Sequence, residues 1–188
     1  MANEPAFLQR QLQHIQALVN ASALAEAQQR LHTLLIDYPQ CADAHNLLGI
    51  ACFNRGQVSN AIAHCKTAIA QNPNNAAYHN NLGCIYQAIR RHDQAIACYK
   101  HALASDANHL LSIRNIITCL LMDKNIQEAN TYCRKWIELE PKSAEARLAY
   151  GNLLAQSTSP EKALEHLILA TELAPFPPMP STFSAAHF

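Results

Sequence analysis

Residues 76–109 read AAYHNNLGCIYQAIRRHDQAIACYKHALASDANH, and this stretch decides the fold because its pattern recurs along the chain. The positions that define the pattern are His79, Leu82, Gly83, Tyr86, Ala95, Tyr99 and Ala102. A shift of 34 residues in either direction brings similar side chains into the same columns. Self-similarity at a fixed period of this length indicates stacked units, each packed on its neighbours, rather than one central core.

Prolines mark the same period independently. Pro39, Pro73, Pro141 and Pro175 are 34 residues or a multiple of 34 apart, and Ala107 stands at the remaining position. Five units in phase are therefore predicted, at residues 8–41, 42–75, 76–109, 110–143 and 144–175. Residues 1–7 are predicted to be a leader, and residues 176–188, FPPMPSTFSAAHF, a Pro/Phe-rich tail without a helical period.

The pattern resembles that of the tetratricopeptide repeat (TPR) family, whose signature is W-x2-L-G-x2-Y…A-x3-F…P. Residues 76–109 agree with this signature except that His79 stands at its Trp, Tyr99 at its Phe and Ala107 at its Pro. The resemblance implies an all-α fold, a right-handed α-solenoid of five 34-residue helix-turn-helix units. Each unit would consist of a first helix, helix A, and a second helix, helix B.

Polar residues indicate where three of the B helices begin. Ser59, Asp93 and Ser159 can accept a hydrogen bond from an otherwise unpaired backbone N–H at a helix start. Pro160 suits the first helical position, where its missing N–H is not needed. We expect Ser59, Asp93 and Ser159 to cap helix B of the second, third and fifth units.

Charge and hydropathy exclude several classes of partner. Lys+Arg and Asp+Glu balance at 14 each, so the chain lacks the basic footprint of a nucleic-acid-binding protein. The N-terminal residues lack the basic and apolar regions of a secretory signal. No apolar segment approaches the roughly 18 residues that span a bilayer. We therefore predict a soluble, cytoplasmic protein that neither binds nucleic acid nor inserts into a membrane.

The seven cysteines are an odd number in a chain without a secretory signal, which indicates reduced thiols rather than a disulfide framework. Cys65, Cys98 and Cys133 fall at or next to one column of the repeat, where the TPR family places a large apolar residue. We expect these three side chains to act as small hydrophobic groups in the core.

Neither a catalytic site nor a metal site is predicted. His45 and His79 are 34 residues apart and occupy the column of the signature's Trp, so we expect both to pack between helices. Cys98 and His101 share a helix face, but two ligands do not complete a zinc site. The chain contains no CxxC, HExxH or GxSxG motif. We predict a protein that is not an enzyme and that uses no cofactor or metal ion.

The resemblance implies that the A helices line a concave groove. The columns facing it are rich in amides, which can hydrogen-bond the backbone of an extended peptide; an alternative interpretation is that they only satisfy backbone groups between helices. Leu111 and Met122, beside Arg114, could form a pocket for one hydrophobic anchor. The Lys and Arg residues with which co-chaperone TPR domains bind acidic tails are missing from the corresponding columns. The predicted groove residues are Asn46, Asn80, Asn81, Asn115, Arg114, Leu111, Met122 and Asn152.

The last helix presents a second candidate surface. Leu164, Leu167 and Ile168 form an apolar stripe, and no further amphipathic helix follows to cover it. Exposed apolar patches tend to find a partner. We expect homodimerisation through the C-terminal repeat, packing of the tail, or a further domain to cover the stripe.

The hypothesis that best fits these patterns is a non-catalytic scaffold that binds a partner peptide or helix in the groove. Two alternatives remain. The chain could be the substrate-recruiting module of a larger enzyme of the glycosyltransferase or methyltransferase type, or it could be a small secretion-type chaperone.

Overall fold

The structure, a computed structural model, describes residues 4–156 and 160–174. These residues form ten α-helices and no β-strand, which confirms the all-α prediction. The helices are α1 Glu4–Asn20, α2 Leu24–Asp37, α3 Ala42–Asn54, α4 Val58–Gln71, α5 Ala76–Ala88, α6 His92–Ser105, α7 Leu110–Met122, α8 Ile126–Leu139, α9 Ala144–Ala155 and α10 Pro160–Leu173. The predicted tail at 176–188 lies outside the described residues, and α1 begins inside the predicted leader.

The chain divides into two compact units, Met1–Cys119 and Leu120–Phe188. In the first unit, α1 packs on α2, α3 on α4, and α5 on α6, so consecutive helices form hairpins. The A helices α1, α3 and α5 also contact one another in sequence. In the second unit, α9 packs on both α8 and α10. Among the described helices, none has the length and apolar character that a membrane span requires.

A left-handed residue closes the turn between helix A and helix B in four hairpins. These residues are 34 apart and have φ angles of 60°, 76°, 59° and 57°, at Ser22, Gly56, Arg90 and Lys124. At Gly56, its N–H donates to the Phe53 carbonyl (2.8 Å) and the Gln57 N–H donates to the Cys52 carbonyl (2.9 Å). This pair of bonds is a Schellman motif, and the same pair closes the other three turns. The turn is therefore as periodic as the helices, although only one of the four positions is a glycine.

The turn geometry shifts the start of two B helices from the predicted caps. Helix α4 begins at Val58 and α6 at His92, two residues after the left-handed position. Ser59 and Asp93 are thus the second residues of their helices, and their prediction as caps was wrong. Helix α10 begins at Pro160, as expected, whereas Ser159 lies outside the described residues.

Close packing within the hairpins requires glycine at the one glycine position of the signature, which Gly49, Gly83 and Gly151 occupy. A Cβ atom on Gly83 would lie 2.5 Å from Cε1 of the Tyr99 ring, and one on Gly151 would lie 2.8 Å from Cδ2 of Leu167. Both distances are far below van der Waals contact. The absence of a side chain at Gly83 and Gly151 therefore sets how closely helix A approaches helix B.

At three of the periodic prolines, a side-chain hydrogen bond joins the proline to the A helix that follows it. The residue six positions after the proline contacts the proline carbonyl oxygen. These contacts join His45 Nε2 to Pro39 (3.2 Å), His79 Nε2 to Pro73 (2.8 Å) and Arg147 Nη2 to Pro141 (3.2 Å). Where Ala107 replaces the proline, the equivalent residue is Ile113, which is fully buried. The proline and its polar partner are therefore lost together.

The two histidines of this column also stack on helix B. The ring centroids of His45 and His64 are 5.5 Å apart, and those of His79 and His101 are also 5.5 Å apart. His45 and His79 are half-buried, so they pack between helices as predicted. Their contacts are structural ones.

Lowering the pH should destabilise the hairpin formed by α3 and α4. Burial first, and then the positive charges of His45 and His32, lower the pKa of His64. The unfolded chain therefore binds a proton at His64 more readily than the folded chain does. This contribution to stability is fully present above the unfolded pKa of about 6.5 and falls as the pH drops towards the folded pKa.

Urea unfolding of the full chain at several pH values between about 5 and 8 tests this expectation. The free energy of unfolding should decrease below pH about 6.5, and the decrease should be smaller in His64→Gln. Identical pH profiles for the two proteins would contradict the role of His64.

The cysteines are free thiols. Cys65, Cys98 and Cys133 are buried, as predicted. Burial raises the pKa of Cys65 and Cys133 to about 12 and that of Cys98 to about 11. These three groups are therefore protonated at neutral pH and behave as apolar core residues rather than nucleophiles.

Candidate functional site

The candidate site is the surface that the A helices of the first unit present together. We call it the A-helix face, and it is formed by α1, α3, α5 and the first ten residues of α7. Four of the predicted groove residues, Asn46, Asn80, Asn81 and Asn115, lie on α3, α5 and α7.

Two asparagine pairs bridge successive A helices. Asn81 Nδ2 donates to Asn46 Oδ1 over 3.0 Å, and Asn115 Nδ2 donates to Asn80 Oδ1 over 3.1 Å. In each pair the donor follows the acceptor by 35 residues, so the two bonds occupy equivalent places in successive repeats. We call these two bonds the amide ladder. It joins α3 to α5 and α5 to α7.

Asn80 is held from a second side by a buried serine. Ser112 Oγ is fully buried and donates to Asn80 Oδ1 over 3.2 Å, while His109 Nδ1 lies 2.8 Å from Ser112 Oγ. A serine hydroxyl has one proton, so His109 must donate from Nδ1. Asn80 Oδ1 thus accepts from both Ser112 and Asn115. Asn80 is 5% exposed and Asn46 is 8% exposed, so both acceptor residues of the ladder are buried.

Other atoms of the ladder remain open to solvent. Within the described part of the chain, Asn46 Nδ2, Asn81 Oδ1 and Asn115 Oδ1 make no hydrogen bond, and none of them is shielded from water. The ladder therefore offers a free donor and two free acceptors along one line of helices. It satisfies side chains of neighbouring helices rather than their backbone groups, unlike the alternative interpretation from sequence.

A cavity of about 270 Å³ lies at the α1–α3 end of the A-helix face. Four amide side chains, one carboxylate and two leucines line it, namely Gln9, Gln13, Gln16, Asn46, Asp43, Leu12 and Leu47. The hydroxyl of Tyr78 on α5 donates to Asp43 Oδ1. Burial first, and then this bond to Asp43, raise the pKa of Tyr78 well above its usual value, so the hydroxyl stays protonated and holds the carboxylate in place.

The two predicted anchor residues on α7 are both exposed. Leu111 is 55% exposed and Met122 is 62% exposed. Arg114 is half-buried on the same helix.

Sequence comparison identifies the repeat. Two profiles of the family described as tetratricopeptide repeat match residues 12–76 and residues 64–97. The chain is a tetratricopeptide repeat protein. TPR repeats are in general protein-interaction modules.

Solved structures share the TPR fold. PilF of Pseudomonas aeruginosa is 20% identical and superposes with a TM-score of 0.82 over 93% of this chain and 79% of its own. MamA of Desulfovibrio magneticus is 16% identical with a TM-score of 0.75, over 88% and 94% of the two chains. YrrB, described as a TPR protein with an unusual peptide-binding site, is 20% identical with a TM-score of 0.71, over 88% and 86%.

A curated relative is much longer than this TPR chain. A protein O-mannosyl-transferase of Caenorhabditis elegans is 29% identical over 98 residues, which is 52% of this chain and 13% of that protein. The chain thus spans about an eighth of the length of the relative it matches.

Three apolar side chains were predicted to form a stripe on the last TPR helix. Leu164 is 59% exposed and Ile168 is 49% exposed, so both are available for contact. Leu167 is half-buried and packs against Gly151 of α9. Asn152, the remaining predicted groove residue, is exposed on α9 of the second unit.

Sequence analysis did not single out two side chains that hold polar groups of the A-helix face, Tyr78 and Ser112. A signal was nevertheless present, because Tyr78 follows Asp43 by 35 residues, the same offset as in the amide ladder. Polar pairs separated by one repeat plus one residue mark contacts between successive A helices in this TPR protein.

Proposed function

We propose that this protein is a non-catalytic scaffold that binds an extended segment of a partner protein along the A-helix face of its first unit. The observation that carries the proposal is the amide ladder. Asn46, Asn81 and Asn115 are fixed by bonds between neighbouring helices, yet each retains a hydrogen-bonding atom in contact with solvent. Side chains that are already ordered lose little conformational entropy on binding.

The spacing of the helices suits an extended chain. Packed helices are about 8–10 Å apart, and an extended strand rises about 3.3 Å per residue. Each A helix therefore corresponds to about three residues of ligand, and α3, α5 and α7 together to about six to nine. Amide groups can hydrogen-bond both the N–H and the C=O of a peptide bond. The ladder would therefore contact the backbone of the ligand peptide more than its side chains.

A second candidate function is favoured by the relative from C. elegans. The repeat could recruit protein substrates to a transferase, since part of a protein O-mannosyl-transferase is similar to this chain. This favours the glycosyltransferase alternative over the methyltransferase and the secretion chaperone. Recruitment would use the same A-helix face. Mass spectrometry of a bound peptide after incubation with the chain and a mannosyl donor should show no added hexose, and a hexose addition would contradict a non-catalytic role.

We further propose a reducing compartment such as the cytoplasm. The proposal is supported by the seven free thiols, five of which are buried in the hairpins. Thiols in such numbers persist unpaired where glutathione and thioredoxin keep them reduced.

Replacing Asn81 with alanine should weaken peptide binding without unfolding the protein. Within the described residues, the half-buried Asn81 makes one hydrogen bond, which it donates to Asn46, so its removal leaves a single acceptor, Asn46 Oδ1, without its donor. A library of random twelve-residue peptides selected on the immobilised chain would supply the probes. Fluorescence anisotropy should show about three- to tenfold weaker binding, the effect of one hydrogen bond of 0.5–1.5 kcal/mol.

The matched control is Asn60→Ala, because Asn60 is an exposed asparagine on the B helix α4. This variant should bind the selected peptides with unchanged affinity. If wild type and Asn81→Ala bind the peptides with equal affinity, the amide ladder is not part of the binding site. Failure to select any binding peptide would contradict the proposed function itself.

We also propose that Leu164 and Ile168 contact a second copy of the chain. The two side chains are four residues apart on one face of α10 and are both about half exposed. Light scattering should give a dimer mass for wild type and a monomer mass for Leu164→Gln/Ile168→Gln. A monomeric wild type would contradict the dimer. Truncation after Pro175 would then test whether residues 176–188 cover the pair, since their removal should cause aggregation.

A further inference from the structure

The chemistry of the cavity between α1 and α3 indicates which peptides the A-helix face prefers. Among the residues that line it, Asp43 is the single charged side chain, and the remainder are amides and leucines. This inference rests on the proposed function, because the cavity is the end of the same face and shares Asn46 with the amide ladder.

Asp43 keeps one oxygen for a ligand. Tyr78 donates to Oδ1, and within the described residues no Lys, Arg or His forms a salt bridge with Asp43. Asp43 is exposed and lines the cavity, and its Oδ2 makes no hydrogen bond within the described residues. The bond from Tyr78, a buried residue, fixes the direction of the carboxylate.

The surroundings of Asp43 suit a long cationic side chain. Leu12 and Leu47 offer apolar contact for a methylene stem, in the way that Lys and Arg stems lie along apolar surface. The carbonyl oxygens of Gln9 and Gln13 can accept from an ammonium or guanidinium group beside the carboxylate. An acidic side chain would meet a like charge with no cation in the lining to offset it.

We infer that this cavity binds a Lys or Arg side chain of the partner segment, so that the A-helix face selects extended peptides with a basic residue at one end. The amide ladder then holds the neutral backbone, and Asp43 fixes the register by accepting the basic side chain. Specificity for charge is thereby confined to one end of a face that is otherwise neutral.

Three pools of labelled dodecapeptides test the inference. Each pool is degenerate except for one position, which is Lys, Gln or Glu, and that position is moved stepwise along the peptide. Affinity for the full chain is measured by anisotropy at low and at high salt. At one end position we expect the Lys pool to bind about three- to fivefold tighter than the Gln pool, the effect of one partly exposed ion pair, and the Glu pool to bind weakest.

Asp43→Asn keeps the shape of the side chain and its ability to accept from Tyr78 while removing the charge. It should make the affinities for the Lys and Gln pools equal. Asp93→Asn, which makes the same change at an exposed position on the B helix α6, should retain the preference. High salt should also reduce the preference in the wild type.

The outcomes separate the inference from the proposed function. Binding of all pools with equal affinity, or a Lys preference that survives Asp43→Asn, would overturn the basic site and leave the scaffold function standing. Binding of no pool at all would overturn both. A preference for the Glu pool would show that the charge assignment of the cavity is wrong.

Discussion

Replacement of Tyr99 with alanine should lower the free energy of unfolding by about 3–5 kcal/mol, the range observed for truncating a buried aromatic residue. Tyr99 is fully buried, and its ring fills the space that Gly83 leaves open between α5 and α6. Loss of the ring would leave a cavity that neither helix can close without losing contact with its neighbours. Burial raises the pKa of the hydroxyl far above its usual value, so the group acts only as a neutral donor.

The control for this prediction is Tyr99→Phe. The Tyr99 hydroxyl donates to Gln87 Oε1 over 2.6 Å, and its removal should cost about 1 kcal/mol because the ring still fills the space. Urea unfolding followed by circular dichroism gives both values. Hydrogen exchange should show the loss concentrated in α5 and α6, since each repeat packs only on its neighbours. If the two variants are equally destabilised, the ring is not what holds the hairpin together.

Replacement of Asn80 with alanine should cost about 1–3 kcal/mol of stability, because it strands buried hydrogen-bond donors. Asn80 Oδ1 accepts from Ser112, which is fully buried, and from Asn115. Alanine would leave the Ser112 hydroxyl without its acceptor in a region that water does not reach. The measurement is again urea unfolding of the full chain. It also determines whether a binding defect in an Asn80 variant can be attributed to ligand contact.

Asn81→Ala is the matched control, since it removes the same type of side chain one position along the same helix. Asn81 donates to Asn46 Oδ1. Its loss removes this one hydrogen bond, which should cost about 0.5–1.5 kcal/mol and less than the loss of Asn80. The two variants should thus have different main effects. Asn80→Ala should mainly lower stability, and Asn81→Ala should mainly weaken peptide binding. A large stability loss at Asn81, or none at Asn80, would reverse this assignment.

The sequence predicted the repeat correctly but misplaced details that depend on backbone geometry. Periodicity located the helices because the signature residues are the ones each hairpin must bury. It misplaced the caps at Ser59 and Asp93 because both B helices begin two residues after a left-handed turn residue, Gly56 or Arg90, so that Val58 and His92 come first. At Arg90 the Schellman hydrogen bonds of the turn stabilise the left-handed conformation. An arginine in the sequence does not predict this conformation.

The apolar stripe of α10 illustrates a second limit. A 3.6-residue period groups Leu164, Leu167 and Ile168 on one broad face, but it does not say which part of that face the preceding helix covers. The contact of Leu167 with Gly151 settles that point. It leaves Leu164 and Ile168 exposed.

The sequence by itself determined the all-α repeat architecture, the neutral and amide-rich character of the A helices, and the burial of Cys65, Cys98 and Cys133, because these follow from composition and from a period that every unit shares. Only the tertiary structure decided that Asn80 accepts from both Ser112 and Asn115. It also decided that Asn46, Asn81 and Asn115 each keep a polar atom without a hydrogen bond among the described residues, and that Asp43 is held by Tyr78 beside a cavity. The physical reason is that these roles depend on hydrogen bonds between side chains of neighbouring repeats. Such bonds depend on the separation and relative orientation of two neighbouring helices. The repeat period of the sequence does not specify either quantity.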